Sequence, residues 1–465
     1  MQLQCYELIK SWATKESVAV TEDLLSWVQE RNQQTHVQIE KNKLSESKQW
    51  FYDAKSGTIH NQNNSFFQIS GMQVFEKGEI IAEQPILLQK EIGYLGLLCQ
   101  IRDGILHFLM QAKIEPGNVN CVQLSPTIQA TKSNFTQKHG GRKPAYLDYF
   151  LHAEQYEVLV DQIQSEQSSR FLGKRNRNII VWLPTNENVE VLPNFRWMTL
   201  GQIKALMKQE NLVNMDTRTV LSCIPFTTEA VAAEELSHIE LLFADKALYR
   251  SMFEKPKKSA LPLLYRYVNN AKMFADTEKR LVPLHSLNSW EMTDEGIFCK
   301  TQYPFSVTYC KIAIEGREVT EWTQPLFEAC GMAEFGLFTT VQDGVRKFLV
   351  RGLSEIGCFD EMEFAPTVQL EAGYIEGEMS PIEKLFQRRY NDKAGVLYDT
   401  VLSEEGGRFY HEQNYNRILE IDAEELGELP EGYFWVDYYT LNTLNQVNNC
   451  LNIQLRNLLA LLEIN

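Results

Sequence analysis

Four cations fall within eight residues of an otherwise acidic chain: Arg170, Lys174, Arg175 and Arg177, interleaved with Asn176 and Asn178. Guanidinium groups offer bidentate forks and amides add neutral donors, so the stretch suits a pyrophosphate. A solvated basic face is the alternative reading. Residues 111–141 are unusual in another way. They are dense in side chains that hydrogen-bond but seldom titrate: Lys113, Glu115, Asn118, Asn120, Gln123, Ser125, Thr127, Gln129, Thr131, Ser133 and Asn134. A sugar pocket needs such groups, because each desolvated hydroxyl wants a donor or acceptor. An extended polar loop has the same composition. His107, His139 and His411 could each act as a base near neutral pH, or each could be a satisfied structural residue. Glu166 and Glu404, each close to an Arg-Phe pair, fit an internal ion pair or a proton donor equally well.

Other chemistries lack their residues. The chain has no P-loop, no G-x-S-x-G elbow and no G-x-G-x-x-G after a strand. Its nine cysteines are widely spaced, with no C-x-x-C, so a disulfide framework or zinc-cysteine site is not expected. They read as small core residues of a reducing cytoplasm. No histidine pair has metal-ligand spacing, and no metal is expected. The 465 residues carry a net charge of −16, a field that repels nucleic acid and anionic lipid. No apolar run is long enough to span a membrane, and the first residues do not read as a signal peptide. With 44% hydrophobic and 23% charged residues, the composition is that of a multidomain globular protein.

The elements that must position these residues come in two copies. Residues 84–129 match 324–369 without a gap, at 13 of 46 positions. Residues 161–178 match 399–416 at seven of 18. A period this long implies a tandem duplication in which each copy has its own core. Residues 1–35 have helical spacing at Leu8, Trp12, Leu24, Leu25 and Val28. Residues 104–114 alternate with a period of two, which predicts a half-buried strand with His107 on its polar face. Asp103-Gly104 and Asp343-Gly344 suit hairpin turns. Residues 178–184 read as a strand, and 198–213 and 439–462 as closing helices. Residues 225–290 appear without a counterpart at the start of the chain and read as a helical bridge. The expected organisation is α+β. A helical segment (1–50) precedes a first repeat (51–225), a helical bridge (226–285) and a second repeat (286–465).

At residues 115–141 (EPGNVNCVQLSPTIQATKSNFTQKHGG) and 165–178 (SEQSSRFLGKRNRN) the chain resembles the NDP-hexose 2,3-dehydratases. Residues 65–71, 83–98, 317–326 and 403–414 resemble further stretches of that family, in order. The resemblance implies two fused Nudix-like mixed-sheet domains, a homodimer, and a nucleotide-sugar pocket in each repeat, one of them vestigial. The usual Nudix hydrolase motif is absent from both copies. The implied reaction acts on an NDP-4-keto-6-deoxyhexose, usually dTDP-linked. It removes water across C2 and C3 without a cofactor and passes a diketo sugar to a 3-ketoreductase. On this reading His107, Lys113, Glu115 or His139 supply acid, base or enolate stabilisation. Arg170, Lys174, Arg175 and Arg177 clamp the diphosphate. Asn118, Asn120, Gln123, Ser125, Thr127, Gln129, Ser133, Asn134, Glu166 and Asn176 complete the first pocket. Thr367, Gln369, Glu404, Arg408, Tyr410, His411 and Asn414 form the second. The sequence departs from the family at Asn63-Asn64-Ser65, Lys347 and Tyr415. A non-catalytic nucleotide-sugar sensor and a Nudix-like hydrolase are the rival readings.

Overall fold

In the computed structural model both Asp-Gly pairs form the turns their residue types favour. Asp103 and Gly104 lie at φ 49° and 76°, and Asp343 and Gly344 at 51° and 76°. Positive φ at both central positions is the type I′ geometry that matches strand twist, and glycine reaches it without a Cβ clash. The structure describes residues 2–64, 66–135, 143–226, 233–315 and 320–465.

Each hairpin is the centre of a seven-stranded mixed sheet, and the two sheets have the same order. In the first, Gly93–Arg102 pairs antiparallel with Ile105–Ile114 and parallel with Arg175–Leu183. Glu157–Ser165 and Phe195–Thr199 flank these, and Val122–Ser125 and Ile128–Ala130 extend them. In the second, Ala333–Gln342, Val345–Leu353 and Gln413–Glu420 repeat the arrangement. The fold is therefore α+β, with one domain pattern repeated twice.

Four expectations need correction. The strand at 105–114 is not half-buried: Leu106, His107, Phe108, Leu109 and Met110 are all fully buried. Its alternation divides two cores, because Leu106, Phe108 and Met110 join one apolar cluster and Leu109 another. Residues 439–462 form two helices, Tyr438–Asn445 and Ile453–Ala460, and 198–213 contains only Leu200–Leu206 before Met215–Ser222 begins. Asparagine makes both breaks. Asn211 and Asn449 take left-handed φ, and Asn214 and Asn452 cap the second helix of each pair. Not all cysteines are core residues, since Cys330 is exposed.

The fourth correction concerns the bridge. Helix Leu261–Met273, strand Thr277–Val282 and Trp290 repeat helix Thr21–Gln33, strand Val37–Lys41 and Trp50. Only Leu24/Leu264, Val28/Val268, Leu44/Leu284 and Trp50/Trp290 are identical, so the match is faint in sequence. The identical residues are the anchors: three of the four pairs are buried in both copies. Deleting a side chain such as that of Trp50 should cost about 3–5 kcal/mol.

These preceding strands are exchanged. Val37–Lys41 adds to Phe305–Ile314 of the second repeat, and Thr277–Val282 adds to Gln68–Glu76 of the first. Each half thus completes the other's five-stranded sheet. Side chains cross as well. Arg218 donates to the Ser403 carbonyl at 3.0 Å, and its mirror Arg456 donates to that of Ser165. One apolar cluster runs from helix Gln2–Ala13 through both large sheets to helix Ile453–Ala460. Each repeat has the expected sheets, yet their cores are continuous. No helix among the described residues is long and apolar enough to cross a membrane.

Candidate active site

The end of the 105–114 strand opens into a cleft of about 850 Å³. The strand delivers Gln111 and Lys113 to it, and the turn that follows delivers Glu115. Glu115 Oε1 accepts from Lys113 Nζ at 3.0 Å and from Gln129 Nε2 at 2.9 Å. Gln129 Oε1 in turn accepts from Asn214 Nδ2 at 3.1 Å. Asn214 is the cap of helix Met215–Ser222, so this chain of amides ties the carboxylate to a helix terminus. Asp216, in the first turn of that helix, also lines the cleft.

A second wall comes from the hairpin of Glu157–Ser165 and Arg175–Leu183. Glu166 accepts from Asn176 Nδ2 at 2.7 Å, and Asn176 Oδ1 accepts the Gly93 amide at 3.3 Å. Lys174 is buried and donates to the Glu91 carbonyl. The Glu91 carboxylate accepts the Ser133 amide at 2.9 Å and its hydroxyl at 3.1 Å.

The third wall belongs to the second repeat. Arg408 donates to the Gly407 carbonyl at 2.7 Å and to Gln89 Oε1 at 3.1 Å. Its guanidinium lies 4.5 and 4.4 Å from the ring centres of Phe66 and Phe67. Glu405 enters beside it, with Trp322 and Gln324. The cleft thus holds four carboxyl groups (Glu115, Glu166, Asp216, Glu405) and four cations (Lys113, Lys143, Lys174, Arg408), of which Lys143 is paired with Asp148.

Burial and crowding shift these groups. Glu405 is pushed up to about 7 by burial and by Glu115, against the pull of Arg408. Burial holds Asp216 well above the usual carboxylate range, and Glu166, Glu405 and Glu115 add to this. Burial also raises Glu166, opposed by Lys174. Lys174 itself is lowered to about 8 by burial, against the attraction of Glu166. Protonated and ionised carboxyls therefore coexist near neutral pH, the arrangement that lets one site both take and give a proton.

Of the residues singled out in the sequence, Lys113, Glu115, Thr127, Gln129, Ser133, Asn134, Glu166, Lys174 and Asn176 line the cleft. The four-cation cluster does not stay together, because Arg170 lies in a turn and Lys174 in the connection, and only Arg175 and Arg177 stand on the strand Arg175–Leu183. Arg170 points into the second repeat, paired with Glu371 at 3.0 Å and stacked 4.2 Å over Phe305. Arg175 lies 3.7 Å over the ring of Phe359, also in the second repeat. Arg177 is bound by Asp161 at 2.6 Å. His107 is six residues from Lys113 along an extended strand, roughly 20 Å away, with Nδ1 on the Ile105 carbonyl. His139 lies outside the described residues.

Several expected sugar ligands instead bond within the protein. Gln123 reaches the second repeat, donating to Ser403 Oγ at 2.6 Å, whereas Asn120 donates to the Asn211 carbonyl at 2.9 Å and Asn118 to the Cys121 carbonyl at 3.0 Å, both within the first repeat. Ser125 bonds to backbone within its own strand pair. Thr127 and Thr367 each accept a backbone amide, from Leu98 and Phe338, in mirrored positions.

In the second repeat the amide relay survives: Gln369 donates to Glu355 Oε1 at 3.0 Å, and Asn452 donates to Gln369 at 2.9 Å. Glu404 accepts from Asn414 at 2.6 Å. Leu353, Glu412 and Gln454 stand where the first repeat has Lys113, Lys174 and Asp216. Arg408 leaves this set for the first cleft, and Tyr410 and His411 stack at 4.3 Å beside the junction. Asp216 and Glu405 were missed. Only their contrast with Gln454 and Gln167 in the other copy could have marked them.

A family model described as NDP-hexose 2,3-dehydratase matches residues 21–224 and 263–462. A protein of Saccharopolyspora spinosa named dTDP-4-dehydro-6-deoxy-alpha-D-glucopyranose 2,3-dehydratase is 39% identical over 447 residues, spanning 95% of this chain and 91% of its own. Proteins of the same name from Amycolatopsis orientalis and Streptomyces violaceoruber are each 35% identical, spanning 97% and 94% of this chain and 92% and 95% of their own. With both repeats matched in order and relatives alike from end to end, the chain belongs to the NDP-hexose 2,3-dehydratase family.

Proposed function

We propose that the protein is a hydro-lyase that dehydrates a dTDP-linked 4-keto-6-deoxyhexose across C2 and C3. The observation that carries the reading is the Lys113–Glu115–Gln129 group, set in one cleft with Lys174 and Arg408. The C4 carbonyl acidifies the C3 hydrogen. Glu115, held by two donors, takes that proton, and the Lys113 ammonium faces the charge that develops at the C4 oxygen. Expulsion of the C2 hydroxyl as water leaves an enol that tautomerises to the 3,4-diketo-2,6-dideoxy sugar. Electrons and atoms balance without a redox partner. Lys174 and Arg408, one from each repeat, hold the diphosphate so that the ring is presented to Glu115.

Each repeat is read as Nudix-like, on the strength of its mixed sheet and the family resemblance. The working protein is read as a cytoplasmic homodimer whose unstable product goes to a 3-ketoreductase. The test is incubation with dTDP-4-keto-6-deoxyglucose and such a reductase. A 2-deoxy product is expected. Binding without product would favour a sensor, and magnesium-dependent loss of the nucleotide would favour a hydrolase.

A further inference from the structure

Elimination needs two proton movements, and the groups assigned so far provide one. The C2 hydroxyl is a poor leaving group unless an acid protonates it as the C–O bond breaks. That acid must keep its proton at neutral pH, lie in the cleft and have an oxygen not engaged elsewhere. Asp216 meets all three conditions. It lines the cleft and is 2% exposed. Its Oδ1 has no hydrogen-bond partner among the described residues. The groups that bear on it are Glu166, Glu405 and Glu115, with Lys113 as the opposing cation. It follows Asn214, the cap that holds Gln129, by two residues, so it is tied to the same relay that positions Glu115.

We propose that Asp216 is the general acid that protonates the departing C2 hydroxyl, a role that rests on the dehydratase reading. In this step the proton from C3 passes to Glu115, and the electron pair moves through the C4 enolate to form the C2–C3 double bond. The C2–O bond breaks, its oxygen takes the Asp216 proton, and water leaves. Tautomerisation releases the enol O–H proton and adds one at C2, and exchange with solvent restores both carboxyls. Burial and three neighbouring carboxylates keep Asp216 protonated beforehand, outweighing the small preference of a helix N-terminus for an anion.

The duplication provides an internal comparison. The second repeat keeps the Glu–Gln–Asn relay but has Gln454 in place of Asp216 and Leu353 in place of Lys113. An amide can hold a hydroxyl but cannot release a proton to it. This assigns turnover to the first cleft and gives the second a reason to be silent.

The experiment compares Asp216→Asn with the unaltered protein. Measurements are reduced 2-deoxy product, dTDP affinity by calorimetry, and loss of deuterium from C3-labelled dTDP-4-keto-6-deoxyglucose. The variant should dehydrate at least about 100-fold more slowly, bind dTDP within about threefold of normal, and still wash out the C3 label. Asp216→Glu should recover part of the rate, which a purely structural role would not predict. Dehydration within tenfold of normal in Asp216→Asn would overturn the assignment. So would loss of C3 exchange with dTDP binding intact, since Asp216 would then be the base. Absence of product from the unaltered protein would instead defeat the dehydratase reading, and the acid role with it.

Discussion

The Gly117 amide donates to the Gly406 carbonyl at 2.6 Å, which docks the turn after Glu115 onto the loop that carries Glu405 and Arg408. The mirror bond, from the Gly357 amide to the Ser168 carbonyl, is 2.8 Å. A Cβ on Gly117 would lie 1.6 Å from the Phe409 carbonyl oxygen. That oxygen is backbone and cannot swing aside. Gly117→Ala should therefore cost roughly 1–3 kcal/mol of stability and pull Glu405 and Arg408 out of the cleft. Thermal melting and kcat/KM should both fall. Unchanged activity would mean that the loop tolerates displacement.

Arg408 and Arg175 exchange the importance their sequence positions suggest. Arg408 is buried in the first cleft, whereas Arg175 stacks on Phe359. Arg408→Ala should weaken dTDP binding by about 1.5–3 kcal/mol, the scale of a hydrogen bond to a charged group. Arg175→Ala should leave it nearly unchanged. Calorimetric titration of both variants decides the matter, and the reverse ranking would return the clamp to the 170–177 cluster.

Lys174 is lowered from 10.5 to about 8. With its folded value below its unfolded one, charged Lys174 costs stability below pH 8, and that cost disappears as pH rises from 8 to 10.5. A diphosphate reverses the preference, because it favours the ammonium. Binding of dTDP should therefore weaken as pH rises through 8, with uptake of a proton near pH 8–9. Calorimetry in buffers of different ionisation enthalpy measures that proton. Glu405, which ionises near 7, adds to the weakening, so Lys174→Met is the control. Proton uptake that persists in Lys174→Met would assign it to another group.

The repeat, its hairpins and the shared Glu115 and Gln129 were legible because they depend on local pattern: an Asp-Gly turn, a period of two, residues kept in both copies. What was not legible depends on crossing between copies. Nothing local in Val37–Lys41 says that it pairs with residues 305–314. Nothing local in Arg170 says that it serves the other repeat, because it stands in a turn and its partners Glu371 and Phe305 are more than 130 residues away along the chain. Asp216 was hidden for a similar reason. Its importance comes from carboxylates brought by three separate segments.

His107 shows the same limit on a smaller scale. Alternation placed it opposite Phe108, but that face is a second core, and burial lowers its pKa below the usual histidine value. His107→Gln should keep kcat within a few-fold, because the ring lies outside the cleft. A hundredfold loss of kcat with unchanged melting would restore it as a candidate base.

The second repeat should not hold a nucleotide under conditions that saturate the first. Its one arginine at the corresponding place, Arg170, is already engaged by Glu371 at 3.0 Å. Glu412 replaces the lysine, and Leu353 replaces the other cation. Burial raises Glu355 to about 8 and Glu412 to about 7, so the remaining acids gain negative charge as pH rises through neutrality. A diphosphate would have to displace the Glu371 ion pair and then lie beside these groups, with neither of the two replaced cations to repay its desolvation. Titration with dTDP near pH 7.5 should therefore saturate at one molecule per chain. Arg408→Ala should weaken that single event, whereas Arg170→Ala should leave its affinity and stoichiometry unchanged. Two equal sites, or a site lost with Arg170, would show that the second pocket opens in solution.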